Sequence, residues 1–115
     1  MTATDQNFTT WSGDDKVLTV TVTDGSGTAT NLTGATINYE LQALPPDGVA
    51  LLTKTTGGGG ISITDAAAGT FEITIAAADT ASLSGVYFHE CQVVDSSGNV
   101  STIFTGRVNI REDFV

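Results

Sequence analysis

Period-two alternation runs through most of the chain, and it constrains the fold more tightly than any single residue. Residues 16–23 read Lys-Val-Leu-Thr-Val-Thr-Val-Thr. In an extended chain this puts Leu18, Val20 and Val22 on one face and Thr19, Thr21 and Thr23 on the other. The stretch 35–43 repeats the pattern, with Ala35, Ile37, Tyr39, Leu41 and Ala43 opposed to Thr36, Asn38, Glu40 and Gln42. Ile61 and Ile63, then Phe71, Ile73 and Ile75, alternate with polar residues in the same way. Two longer strands are expected over 86–95 and 100–111, a weaker one over 49–55, and a first strand over 7–12. The strand at 49–55 reads as an edge, where Lys54 discourages stray pairing.

The connectors carry turn chemistry. Asp24-Gly25-Ser26-Gly27, Pro45-Pro46-Asp47-Gly48 and Asp95-Ser96-Ser97-Gly98-Asn99 combine glycine with Asx residues that bond their own backbone. Asp65–Gly69 reads as a hairpin loop, and Gly57–Gly60 as a joint between strands. Only Ala76–Leu83 has helical character, with room for about two turns. About eight strands joined by short connections, with one helical turn, predict an all-β, immunoglobulin-like β-sandwich. All 115 residues fit one domain. Residues 1–6 and 112–115 fall outside the alternating segments and read as terminal arms. The 20 threonines then have a role, because β-branched side chains suit the solvent faces of a pleated sheet.

Charge narrows the partners. Thirteen acids against four bases give a formal charge of −9. Nucleic acid and an anionic membrane surface are therefore disfavoured, since both demand rows of basic residues. One cysteine permits no internal disulfide. The amino end has no basic segment followed by an apolar run, and no stretch approaches the ~18 apolar residues of a membrane span. Together these point to a protein assembled in a reducing cytoplasm.

Conventional chemistry is scarce. His89, Glu90 and Cys91 are the one cluster of catalytic residue types. In a strand, His89 and Cys91 share a face about 7 Å apart, too far for a nucleophile–base pair. They read as a core cysteine and a half-buried histidine. The tetraglycine lacks the Gly-Lys-Ser/Thr ending of a phosphate loop. Asp14, Asp15, Asp24 and Asp95 lack the alternating spacing of a calcium loop. No catalytic residue, cofactor or metal site is expected. Phe8, Trp11 and Phe114 remain, near the two ends of the chain, as candidate anchors for a partner. For Phe8 and Trp11, ordinary core filling competes with that reading, and for Trp11 it is preferred.

Three segments carry a family resemblance: Asn31-Leu32-Thr33-Gly34-Ala35 leading into a strand, Leu83-Ser84-Gly85-Val86-Tyr87 after the helical turn, and strand–Asp95–turn–Gly98–strand closing on Gly106-Arg107-Val108. The second is similar to a tyrosine corner. In this order they resemble the immunoglobulin-like N-terminal domain of tailed-phage baseplate upper proteins and related small phage virion proteins. The resemblance implies a non-enzymatic structural component of a tailed-bacteriophage virion. Family members continue into a further domain, whereas this chain stops four residues after Arg111, which implies an accessory module on the tail, baseplate, neck or capsid. Its implied partners are other phage structural proteins and further copies of itself, and its implied location is the virion. The competing expectation is a carbohydrate- or cell-surface-binding adhesion module.

Overall fold

The computed structural model describes residues 8–24, 26–44 and 49–111. Eight strands form: β1 (Phe8–Trp11), β2 (Lys16–Thr21), β3 (Thr36–Ala43), β4 (Ala50–Thr55), β5 (Ile61–Asp65), β6 (Thr70–Ile75), β7 (Gly85–Val94) and β8 (Val100–Arg111). They make a five-stranded sheet, β1-β8-β7-β3-β4, and a three-stranded sheet, β2-β6-β5. The fold is an all-β sandwich. The second, sixth and fifth strands packed against the third, seventh and eighth follow the sheet composition of immunoglobulin-like domains. Among the described strands all ladders are antiparallel except β1 with β8, which run parallel from Phe8↔Val108 to Trp11↔Arg111.

The alternation does the work it promises. Leu18, Val20, Val22, Ile37, Tyr39, Phe71, Ile73, Cys91, Val93 and Phe104 meet in one buried cluster between the sheets. Each fully buried large side chain of this kind contributes about 1.5–3 kcal/mol, which is why register is fixed so firmly. A smaller cluster of Leu41, Val108 and Ile110 continues the core toward the β1 end.

Turns behave as their residues dictate. The Asp24 carboxylate accepts from the amides of Ser26 and Thr28, and that of Asp95 from Ser97 and Asn99. The segment Pro45–Gly48 lies outside the described residues. Gly60 follows the turn that carries the chain between sheets, with φ +91° and no space for a Cβ against the Lys54 side chain.

The expected helical turn forms over a shorter span than 76–83, and the edge-strand lysine takes an unexpected direction. The helical segment is a single turn, α1 (Ala77–Thr80). The Leu83 amide closes back on the Thr80 carbonyl, and Gly85, at φ +111°, turns the chain straight into β7. Lys54 does sit on the edge strand β4. It points inward, however, and its ammonium meets the Asp79 carboxylate at 2.8 Å. An inward charge on an edge strand is itself a guard against sheet extension.

Candidate interaction surface

Strand parity builds one distinctive face. Thr10 is buried in register with Ile110, so the next residue pair, Trp11 and Arg111, must face outward. Trp11 is 46% exposed, and the Arg111 guanidinium lies 5.1 Å from its ring centroid. At that distance the cation is attracted to the ring by about 0.5–1 kcal/mol. Core filling by Trp11 is thus overturned, because the core position of this short strand belongs to Thr10. The turn after Trp11 is pinned. Ser12 donates its amide to the Arg111 carbonyl at 2.7 Å and its hydroxyl to the Thr80 carbonyl at 2.9 Å. The Gly13 amide donates to the buried Thr80 hydroxyl at 3.0 Å.

The same outward parity places Val86 beside Asn109, and Phe88 between Arg107 and Gln42. One residue pair further along, Glu90 lies between Thr105 and Glu40. The Gln92 amide donates to Glu90 at 3.2 Å and the Gln42 amide to Glu40 at 3.1 Å. The outer face of the five-stranded sheet is therefore aromatic and basic toward Trp11, and acidic and amide-rich in the adjoining rows.

The catalytic residue types go elsewhere. His89 and Tyr39 are both 0% exposed, and the Tyr39 hydroxyl is hydrogen-bonded to His89 Nδ1 at 2.8 Å. The expectation of a half-buried histidine is corrected to a fully buried one. The His89 ring packs edge-on to Tyr39 and at 5.2 Å from the Phe104 ring. Its register partner on β8 is Gly106, which places no side chain opposite the imidazole. Cys91 shares the core face with His89, as expected. Burial, with a smaller contribution from the Glu90 charge, pushes its thiol up to about 12. Tyr39 is raised as well, by burial and then by Cys91. Buried neutral groups with satisfied bonds specify packing rather than present a reactive atom. Among the described residues, no three His, Cys, Asp or Glu side chains converge as metal ligands would.

No protein-family model matches the chain. No curated protein sequence matches it either.

Of the three candidate anchors, the structure places Trp11 on the sheet face and Phe8 at the head of β1, in register with Val108. Phe114 lies outside the described residues, as do the expected arms 1–6 and 112–115. Sequence reasoning missed that Phe88, Arg107 and Arg111 share the outward face with Trp11. Two signals were available. Phe88 alternates with the core residues Tyr87 and His89, and Phe8 and Trp11 are an odd number of residues apart, so one strand cannot aim both inward.

The Tyr87 hydroxyl donates to the Ser84 carbonyl at 2.9 Å and accepts from the Ser84 amide at 3.1 Å. This is the back-bonding of a tyrosine corner at the entry to β7.

Proposed function

We propose that this chain is a structural, non-enzymatic module of a tailed-phage particle, held on the tail, baseplate, neck or capsid by surface packing. The observation that carries the reading is the Trp11–Arg111 face. Tryptophan and arginine dominate the energetic centres of protein interfaces, and a chain with four bases places Arg111 against its only tryptophan and Arg107 on the same sheet face. The strand order and the Tyr87 corner support the immunoglobulin-like resemblance behind the reading. Function would then be geometric: a stiff sandwich offers one face to repeated copies of a larger scaffold, and repetition supplies the affinity. The resemblance also implies assembly in a host cytoplasm and a virion location. Mass spectrometry of purified particles, with labelled electron microscopy, tests it. The chain should be present at a fixed ratio to a major structural protein, and its absence from particles refutes the proposal.

One observation favours a second reading, a carbohydrate- or cell-surface-binding module. Trp11 and Phe88 lie on a sheet face with Gln42, Gln92 and Asn109, and aromatic planes among amides suit a pyranose ring. Binding of the isolated domain on a glycan array, lost in Trp11→Ala, would establish it.

A further inference from the structure

We propose that two copies of this chain pack through the outer faces of their five-stranded sheets as an antiparallel, two-fold dimer. The proposal deepens the structural-module reading by assigning the surface through which copies meet. It follows from the order of residue rows along that face. The Phe88–Arg107 row and the Glu90–Thr105 row are neighbours. Two rows beyond the first stands Trp11–Arg111, and two rows beyond the second stands Val94–Val100. A two-fold axis lying across the strands, between the two central rows, exchanges the members of both pairs. Arg107 of one copy then faces the Glu90 row of the second, and the reciprocal contact forms automatically, as an isologous interface requires. Trp11 meets the row of Val100, which is 60% exposed in the single chain.

Charge selects this arrangement over its competitor. Parallel stacking of the same faces would set the Arg107 row against itself and the Glu40–Glu90 row against its own acidic copy, on a molecule already at −9. Antiparallel stacking opposes unlike rows. Size is sufficient too. The 40 residues of the five strands, each covering ~3.3 by ~4.8 Å, outline a face of roughly 630 Å². Two such faces bury on the order of 1,300 Å², within the class of stable interfaces at ~1,200–2,000 Å². Sheets packed in this way align at about 10 Å, the spacing that Phe88 and Trp11 side chains fill.

The test is sedimentation equilibrium of the purified full-length chain, with circular dichroism confirming each variant's fold. The wild-type chain should dimerise reversibly, with a dissociation constant on the order of micromolar. Arg107→Glu and Glu90→Arg should each weaken the dimer by about tenfold or more, and the double variant on one chain should recover to within about threefold. Glu72→Arg makes the same charge change on the other sheet and should leave affinity unaltered. Trp11, the only tryptophan, gives a readout without mutation: its emission should shift to the red as dilution separates the copies. A monomer at all concentrations overturns the proposal, and so does a dimer insensitive to both charge reversals. Sensitivity to Arg107→Glu without sensitivity to Glu90→Arg indicates head-to-tail docking and also overturns it. Should a variant fail to fold, tryptophan emission that stays constant while the wild-type dimer dissociates is decisive against it. Particle composition is measured separately, so a chain missing from virions sinks the virion reading without touching this result.

Discussion

Replacing Tyr39 by phenylalanine removes one oxygen from the centre of the sandwich. The hydroxyl is bonded to His89 Nδ1 at 2.8 Å, and neither residue is exposed at all. The site is closed to solvent, so no water replaces the lost bond and the cost is that of a broken buried hydrogen bond, about 1–3 kcal/mol. Tyr87→Phe makes the same chemical change at a solvent-accessible hydroxyl bonded to Ser84. There water takes over the lost bond, and the cost should fall to about 0.5–1 kcal/mol. The comparison cancels side-chain volume and ring contacts, leaving burial as the variable. Urea unfolding followed by circular dichroism at pH 7 measures both. With a slope of about 1–1.5 kcal/mol/M, Tyr39→Phe should lower the midpoint by roughly 0.7–3 M, and Tyr87→Phe by roughly 0.3–1 M. A Tyr39→Phe variant within 0.5 kcal/mol of wild type, by the usual scatter of neutral substitutions, would refute the reasoning, as would the reverse order.

Cys91 should resist thiol reagents in the folded protein: with its thiol pushed up to about 12, the thiolate fraction at pH 8 is about 1 in 10⁴, and labelling at the rate of a free thiol would contradict this. The same shift sets the alkaline limit of stability. The unfolded thiol ionises near 8.5 and the folded one near 12, so stability is fully present below about pH 8.5 and is lost as pH rises from there, by roughly 2 kcal/mol at pH 10; melting temperatures at pH 7 and 10 measure it, and the loss should shrink in Cys91→Ala. For Asp79, burial pushes the carboxyl up, but the Lys54 hydrogen bond, the Ala76 amide and the Lys54 charge outweigh it and hold it below its usual range. Lys54→Met should therefore raise the Asp79 pKa in an NMR titration and cost about 1 kcal/mol or less. Gly69→Ala should destabilise far more than Gly98→Ala, although both backbones are left-handed, because a Cβ at Gly69 would come within 2.6 Å of the Val22 carbonyl and 2.7 Å of that of Thr30, whereas Gly98 has open space. Thermal melts should separate them, with Gly98→Ala near the ~1 kcal/mol backbone cost alone.

How much of this was legible in the sequence depends on the range of the cause. The strands at Thr36–Ala43 and Thr70–Ile75 are local facts, because alternation and flanking turn residues fix them within a few positions. The burial of His89 is not local. It is set by Tyr39, fifty residues earlier, and by the side-chain-free Gly106 across the next strand. Trp11 fails for a related reason. Aromatic residues usually fill small cores, but in a four-residue strand the inward position is decided by register with β8, and that register gives it to Thr10. The Arg111 that stacks on Trp11 is a hundred residues away, and no window along the chain contains both.

Register also explains why the two sides of the sandwich differ. The outward positions of the three-stranded sheet are Val17, Thr19 and Thr21 on β2, Ser62 and Thr64 on β5, and Thr70, Glu72 and Thr74 on β6. Hydroxyls dominate there, and none of these positions is aromatic or basic. Threonines emerge on both sheets, Thr36, Thr53, Thr55, Thr102 and Thr105 on the five-stranded one, but only on the three-stranded sheet are they unmixed with aromatic and basic side chains. Trp11, Phe88, Arg107 and Arg111 all emerge on the other sheet. A domain needing only solubility would have no cause to segregate them, since short β-branched hydroxyls and scattered charge serve on either face. Placing the side chains that gain most from burial on one sheet, and those that gain least on the other, gives the molecule a contact side and a solvent side. Substitutions should report that division. Thr19→Ala and Thr74→Ala ought to alter neither self-association nor incorporation into particles, whereas Trp11→Ala and Arg107→Glu should impair whatever contact the chain makes while leaving its melting temperature near that of wild type. Equal sensitivity on both sheets would mean that the asymmetry has no role in contact.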